Sequence, residues 1–256
     1  MIIDSIILGI VEGVTEFLPV SSTGHLILTS TLLGLKQTDF LKSFEIAIQL
    51  GAIFAIVFLY WKTFLKDFET MKRIAVAFIP TAIIGLVLYK IFRQYFFSES
   101  IVVYSLFFGG IFLIIFELLH KEKDNAETEI KEISYPKSFL IGVFQAIAIV
   151  PGISRSAATI IGGLAMGIKR KAIVEFSFLL AVPTMICATG YDLVKNGYSF
   201  SSNDFAYLGI GFLVSFFVAL VVVKWFLDYV QKNNFIPFGV YRIVIALLFF
   251  FLVVRK

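Results

Sequence analysis

The sequence predicts an all-α integral membrane protein, arranged as an inverted-topology repeat of six transmembrane helices and two re-entrant helix–loop–helix hairpins. Of its 256 residues, 59% are hydrophobic and 16% are charged, whereas soluble domains are about 45–50% apolar and about 25% charged. Most apolar blocks are long enough to cross a bilayer, and two others are interrupted by polar turns at corresponding places. Disorder and a soluble enzyme are excluded, and a single cysteine, Cys187, excludes a disulfide scaffold.

Six segments are predicted to span the membrane, because a crossing helix needs about 20 mostly apolar residues. They are approximately 44–61, 74–92, 101–119, 172–191, 206–227 and 238–254. We expect residues 1–256 to form a single membrane domain. A first repeat covers about 1–119, a charged cytoplasmic linker about 120–137, and a second repeat about 138–256.

Two further apolar regions, 2–34 and 138–168, are each broken by a polar, turn-forming cluster. The breaks are 19–25 (PVSSTGH) and 151–156 (PGISRS). The halves on either side are too short to span, and lipid tolerates irregular backbone only where protein or a wet cavity surrounds it. We therefore expect two re-entrant hairpins. The alternative is a kinked pair of short spans in each region.

The two broken regions resemble each other weakly, which predicts the repeat. GIVE at 9–12 matches GVFQ at 142–145, and SST at 21–23 falls opposite SRS at 154–156. An odd number of spans separates the hairpins, so the second half is inverted. Lysine and arginine concentrate in the loops on the side of the linker, which predicts that side as cytoplasmic. Both termini and the entry of the first hairpin then face outward.

Ionisable side chains at membrane depth identify candidate sites, because each costs roughly 2.5–3.5 kcal/mol to insert. The clearest are Glu12, Glu16, His25 and Arg155, with Glu45, Glu175 and Arg242 as secondary cases. Glu12 and Glu16 are four residues apart, so a helix places them on one face. Two anions there need a metal, a proton or Arg155 between them. Oxygen ligands suit Mg²⁺ or Ca²⁺; the alternative is a proton-sharing pair that only holds helices together.

The second polar break has the residues of an anion site. A tight turn at Gly152 and the hydroxyls of Ser154 and Ser156 accompany Arg155 at the start of a helix. Backbone N–H groups at a helix start and a planar guanidinium suit phosphate. The alternative is that Arg155 only neutralises an acid.

The first break supplies a histidine candidate and more hydroxyls. His25 follows Ser21, Ser22 and Thr23, and its imidazole could attack phosphorus or act as general base or acid. A purely structural histidine is the alternative, and several hydroxyls could serve only as turn or cap residues. Together, the two breaks predict membrane-embedded phosphate chemistry.

At these residues the sequence resembles the undecaprenyl-diphosphate phosphatase family, also called bacitracin resistance proteins. The resemblance is carried by 12–25 (EGVTEFLPVSSTGH) and 151–156 (PGISRS). Supporting matches lie at 44–45, 49–51, 175–183 and 235–238. The family pattern usually continues the second motif with glycine, where this chain has Ala157; the difference removes no reactive group.

The resemblance implies hydrolysis of undecaprenyl diphosphate to undecaprenyl phosphate and inorganic phosphate. This reaction recycles the lipid carrier for peptidoglycan synthesis and confers bacitracin resistance. The resemblance also implies a multi-pass protein of the bacterial cytoplasmic (inner) membrane whose active site faces outward. The expected partners are the lipid substrate and the bilayer, with no nucleic acid; a homodimer is left open. The alternative function is a polyprenyl-phosphate transporter or flippase on the same inverted-repeat fold.

The resemblance also assigns roles to residues. Glu12 and Glu16 match the acidic motif, associated with a divalent metal, Mg²⁺ or Ca²⁺, and with acid–base work. His25 and Ser22 match the proposed nucleophile or base positions, and which of them attacks phosphorus stays open. Arg155 matches the phosphate-binding arginine. The expected substrate-binding residues are Arg155, Ser21, Ser22, Thr23, Gly152, Ser154 and Ser156.

Overall fold

A computed structural model describes residues 2–36, 38–95, 99–122, 126–196 and 202–254, and its regular structure over these ranges is helical. Eleven α-helices follow one another in these ranges, with a 3₁₀ turn at Ile130–Glu132 and a π turn at Phe250–Val254. The helices are α1 Ile2–Thr15, α2 Ser22–Leu32, α3 Asp39–Leu59, α4 Trp61–Lys66, α5 Phe68–Tyr95, α6 Glu99–Leu119, α7 Tyr135–Ile147, α8 Arg155–Ala165, α9 Arg170–Asn196, α10 Ser202–Val230 and α11 Ile236–Phe249. The all-helical prediction is confirmed.

Five helices in the described ranges are long and apolar enough to cross a membrane, which indicates a multi-pass membrane protein. These segments are Phe40–Leu59, Phe68–Leu88, Glu99–Leu119, Arg170–Tyr191 and Asp204–Val230, and they confirm five of the six predicted spans. The sixth predicted span, 238–254, coincides with a shorter apolar helix, Ile236–Leu252, at the lower limit of spanning length.

Both predicted breaks interrupt their helices. In the first region α1 and α2 pack against each other, and in the second α7 packs against α8. Each following helix starts at a serine cap. The Oγ of Ser21 accepts the N–H of Gly24 at 3.4 Å, and the Oγ of Ser154 accepts the N–H of Ala157 at 3.1 Å. Each region is therefore a pair of short helices joined by a polar loop.

The helices approach closely at small residues. Helix α10 packs against α1 and α3, α5 against α7, and α6 against α11. A Cβ at Gly51 would overlap the carbonyl oxygen of Phe212, and one at Gly142 would overlap that of Ala77. In a membrane, where lipid is as apolar as the side chains, such close packing replaces the hydrophobic effect as the source of helix association.

Large apolar side chains lie both inside the bundle and on its outer surface. Phe17, Phe176 and Phe178 are fully buried in the central core. In contrast, Phe58 and Phe112 on two predicted spans are 63% and 57% exposed. An apolar outer surface is expected of helices whose surroundings are lipid rather than water.

Candidate active site

The two polar loops meet at a cavity of about 230 Å³. The loops and the first turns of α2 and α8 line it with Glu16, Ser21, Ser22, Thr23, Ile153, Ser154 and Arg155. The other lining residues come from α3, α5 and α9, from the end of α7 and from the two residues that follow it: Gln49, Thr81, Gln145, Ala148, Ile149, Thr184, Met185 and Ala188. Hydroxyl, amide, carboxylate and guanidinium groups thus surround one space between helices that are otherwise apolar.

Glu16, Ser22 and Arg155 form a connected group on this cavity. The hydroxyl of Ser22 donates to one carboxylate oxygen of Glu16. The other oxygen of Glu16 lies 3.2 Å from Nη2 of Arg155. Both charged side chains are largely buried, with 4% of Glu16 and 12% of Arg155 exposed. A hydroxyl held on a carboxylate beside a cation is the arrangement of an activated nucleophile next to an anion-binding group.

Arg155 is held in place and still has a donor to spare. Its Nη1 donates to the carbonyl of Ser177 on α9 at 2.9 Å. Its Nε is buried and has no partner among the described residues. Because an unpaired buried donor costs free energy, a phosphate oxygen or a water at this position would satisfy it.

Glu12 differs from Glu16 in its surroundings. The backbone N–H of Glu16 donates to the carbonyl of Glu12 at 3.0 Å, so the predicted helical spacing is retained one residue beyond α1. Glu12 is fully buried, and neither of its carboxylate oxygens has a hydrogen-bond partner among the described residues. A carboxylate so placed needs a proton or a cation to offset its burial.

The donor set for a metal is small. No group of three or more His, Cys, Asp or Glu side chains that could hold an ion occurs in the described part of the chain. Glu12 and Glu16 together offer two carboxylates, and Mg²⁺ is commonly held by one or two carboxylates with water and substrate phosphates completing its shell. Glu12 is not among the residues that line the cavity, but its orphaned oxygens fit a cation held between it and Glu16.

His25 lies behind the first loop rather than on the cavity. Its Nδ1 is 2.8 Å from the carbonyl of Ser21, and its Nε2 is 2.9 Å from the hydroxyl of Tyr241, whose ring is stacked on the imidazole. A carbonyl can only accept, so Nδ1 carries the hydrogen and a neutral ring accepts from Tyr241 at Nε2. This geometry favours Ser22 over His25 as the attacking group, while the role of His25 stays a prediction.

The remaining predicted residues divide between the cavity and the join between the loops. The hydroxyl of Ser154 donates to the carbonyl of Leu18 at 3.3 Å, and that of Ser156 donates to the carbonyl of Phe17 at 2.9 Å. Ser154 also lines the cavity, as do Ser21 and Thr23. Ser156 connects the loops instead. Their roles in binding substrate stay predictions.

Both loops contain a residue in the left-handed region, Ser21 at φ 72° and Gly152 at φ 89°. For Gly152 this conformation costs little, because no Cβ is present. For Ser21 it is uncommon, and it is accompanied by the helix cap that the Ser21 hydroxyl provides. The motif sequences thus set two tight turns that bring Ser22 and Arg155 to one place.

Several residues of the site were not predicted from the sequence. Ser177 anchors Arg155, and Gln145 donates to the hydroxyls of Thr81 and Thr184 at 2.9 and 3.0 Å. The only signal for Gln145 was its alignment with Glu12 in the weak internal repeat. Of the secondary predictions, Glu45 accepts from the hydroxyl of Ser30 and is not among the cavity's lining residues.

Comparison with known proteins identifies the family. The family model described as bacitracin resistance protein BacA matches residues 5–248. An undecaprenyl-diphosphatase of Sulfurihydrogenibium sp. (strain YO3AOP1) is 56% identical over 248 residues, which cover 97% of this chain and 98% of that protein. Undecaprenyl-diphosphatases of Aquifex aeolicus (strain VF5) and Wolinella succinogenes are 53% and 51% identical, covering 96% and 98% of this chain and 96% and 97% of those proteins. The chain therefore belongs to the bacitracin resistance protein BacA family.

Proposed function

We propose that this protein is a membrane phosphatase that hydrolyses undecaprenyl diphosphate to undecaprenyl phosphate and inorganic phosphate. The observation that carries the proposal is the contact of Ser22 with Glu16 and of Glu16 with Arg155 on one cavity. Relatives about half identical over nearly the whole chain bear the name undecaprenyl-diphosphatase. The reaction recycles the lipid carrier of peptidoglycan synthesis, and bacitracin resistance is an attribute of the family.

In the proposed reaction Ser22 is the nucleophile. Its Oγ forms a bond to the terminal phosphorus as its proton passes to Glu16, and the bond from that phosphorus to the bridging oxygen breaks. Undecaprenyl phosphate leaves with the bridging oxygen and its electron pair. Arg155 stabilises the charge on the transferred phosphoryl oxygens. The proton on Glu16 passes to the departing undecaprenyl phosphate, which leaves Glu16 ionised. Water then attacks the phosphorus of the phosphoserine and gives a proton to Glu16. The bond from that phosphorus to Oγ breaks, Oγ takes the proton from Glu16, and inorganic phosphate is released with Ser22 restored.

A divalent cation, Mg²⁺ or Ca²⁺, is part of the proposal. Glu12 and Glu16 would hold it, because Glu12 has two buried carboxylate oxygens without partners among the described residues. Such an ion, when bound, would neutralise part of the charge of the diphosphate.

For the membrane arrangement, we propose that α1–α2 and α7–α8 are re-entrant hairpins of an inverted repeat. Each of these four helices has 11–14 residues, which is short for a bilayer. We place the protein in the bacterial cytoplasmic membrane with the site open to the outer face, as the charge distribution predicts. The lipid tail would stay in the bilayer, since extracting it costs about 0.8 kcal/mol per CH₂.

The test is phosphate release from undecaprenyl diphosphate by detergent-purified protein with Mg²⁺ or Ca²⁺, and then with EDTA. We expect metal-dependent release that is abolished in Ser22→Ala and retained in Ser134→Ala. Ser134→Ala is the control, because it also removes a serine hydroxyl, but one that caps the start of α7. Full activity of Ser22→Ala combined with loss in His25→Ala would move the nucleophile to His25.

The second candidate function is a polyprenyl-phosphate transporter or flippase. It is favoured by the two broken helical pairs that meet at one cavity, a feature of transporter sites. A pure carrier releases no phosphate from the diphosphate lipid but moves a labelled phosphate lipid between leaflets of reconstituted vesicles. The two measurements therefore separate the candidates.

A further inference from the structure

Arg242 on α11 is a buried arginine whose partners are main-chain carbonyls. Only 1% of the residue is exposed. Its Nη1 donates to the carbonyl of Pro19 at 3.2 Å, and its Nη2 donates to that of Gly152 at 2.9 Å. Further bonds reach two carbonyls of α6, from Nη2 to Ser105 at 3.2 Å and from Nε to Leu106 at 3.4 Å. Because a buried cation is costly unless its donors are satisfied, this network accounts for how Arg242 is tolerated there.

The two loop carbonyls occupy matching positions. Pro19 lies three residues before Ser22, and Gly152 lies three residues before Arg155. One guanidinium therefore joins the loop that carries the proposed nucleophile to the loop that carries the phosphate-binding arginine. Because the same group is also bonded to α6, it fixes both loops against a third element.

The residue before Arg242 contacts the same region. The hydroxyl of Tyr241 is bonded to Nε2 of His25, whose Nδ1 is bonded to the carbonyl of Ser21, the residue that adopts a left-handed conformation. Two consecutive residues of α11 thus hold the backbone on either side of Val20. This second connection reaches the first loop alone, whereas Arg242 reaches both.

Gly109 on α6 lies directly against the guanidinium of Arg242. A Cβ at Gly109 would overlap Nη2 of Arg242, so glycine leaves the space that the guanidinium fills. An alanine at position 109 would displace the guanidinium, while the charge of Arg242 and its place on α11 would stay the same. Gly85 on α5 offers the matched control, because a Cβ there would meet no atom within 4 Å.

We propose that Arg242 is a positioning residue that sets the distance between Ser22 and Arg155 by bonding to both loops. The expected effect on kcat rests on the proposed function, whereas the expected positioning of the two loops rests on the geometry alone. The serines that join the loops, Ser154 and Ser156, bond the second loop to the first but to no third element in the bonds described above.

The experiment compares Arg242→Lys, Gly109→Ala and the control Gly85→Ala in detergent-purified protein. A lysine carries one ammonium and cannot reproduce a fork that reaches four carbonyls. Since a displacement of about 1 Å in a reacting group can cost about 100-fold in rate, we expect kcat for phosphate release to fall about 100-fold in the first two variants. We expect KM to stay within about threefold, because the binding groups and the lipid tail contacts remain. Gly85→Ala retains the wild-type kcat.

Hydrogen exchange gives the readout that a general loss of stability would not reproduce. In Arg242→Lys and in Gly109→Ala, backbone amides of 20–25 and 152–155 are expected to exchange faster together, while those of α9 and α10 keep their protection. The double variant is expected to lose no more kcat than the more impaired single variant, because both substitutions break one contact.

Three results would overturn the inference. These are a wild-type kcat in Arg242→Lys, additive losses in the double variant, or faster exchange in only one loop or throughout the protein. If wild-type protein releases no phosphate at all, the proposed function fails, and the exchange of the two loops still decides whether Arg242 holds them. Gly109→Ala also keeps the test valid if Arg242→Lys fails to fold.

Discussion

Replacing Arg155 with lysine keeps the positive charge and removes the planar fork. In the structure this fork has three separate tasks: Nη1 bonds the carbonyl of Ser177 at 2.9 Å, Nη2 bonds Glu16 at 3.2 Å, and Nε is left for a further partner. A single ammonium cannot hold both anchors and still present a donor to a phosphate oxygen.

The expected loss follows from one missing charge-assisted hydrogen bond to the transferred phosphoryl group. Such a bond is worth about 1.5–3 kcal/mol, which corresponds to a fall in kcat/KM of roughly 10- to 150-fold. The assay is the initial rate of phosphate release from undecaprenyl diphosphate over a range of lipid concentrations, with circular dichroism to establish folding.

Arg73→Lys is the matched control for Arg155→Lys. Arg73 also makes a bond to a main-chain carbonyl, that of Ile133 at 2.6 Å, and a bond to a carboxylate, that of Glu69 at 2.9 Å, but it does not line the cavity. We expect its kcat/KM to match wild type. If Arg155→Lys also stayed within about threefold of wild type, the assignment of Arg155 as the phosphate-binding fork would be refuted.

Three further substitutions test the site and the packing. Glu16→Gln removes the proposed base, so phosphate release is expected to fall by about 10²- to 10⁴-fold in protein that still folds; a smaller loss would exclude this role. Glu12→Gln should need a higher Mg²⁺ concentration for half-maximal activity, because one of two carboxylate ligands is lost. An unchanged Mg²⁺ titration would remove Glu12 from the metal site. Gly142→Ala would press a Cβ against the carbonyl of Ala77, so we expect a lower thermal unfolding temperature than in Gly85→Ala; equal temperatures would contradict that contact.

The sequence was sufficient for the parts of the fold that follow from bilayer thickness. Five predicted spans are present because a long uninterrupted apolar segment has few alternatives in lipid. The sixth predicted span, 238–254, corresponds to α11 and the π turn Phe250–Val254 that follows it, and its apolar part, Ile236–Leu252, is at the lower limit of spanning length. Both polar breaks were predicted from their proline, glycine and serine content, and both loops are found at those places.

The site could be predicted as a set of residues but not as a geometry. The free-energy cost of placing ionisable side chains in lipid pointed to Glu12, Glu16 and Arg155. Only the structure distinguishes Glu16, which is paired, from Glu12, whose carboxylate oxygens have no partner among the described residues. Ser177 takes part through its backbone carbonyl, which every residue type carries, so no sequence pattern could select it. Arg242 was noted only for its charge, because its partners are carbonyls from distant parts of the chain.

The close glycine contacts between helices also predict where this protein will tolerate substitution. At Gly51 and Gly142 any side chain meets a backbone carbonyl, which cannot rotate aside as a side chain can. Phe58 and Phe112 face outward, where a leucine or an isoleucine would meet the same surroundings. In a library of random variants selected for function, we therefore expect the large apolar residues of the outer surface to interchange freely. The glycines at helix contacts would stay fixed, although glycine is the smallest residue.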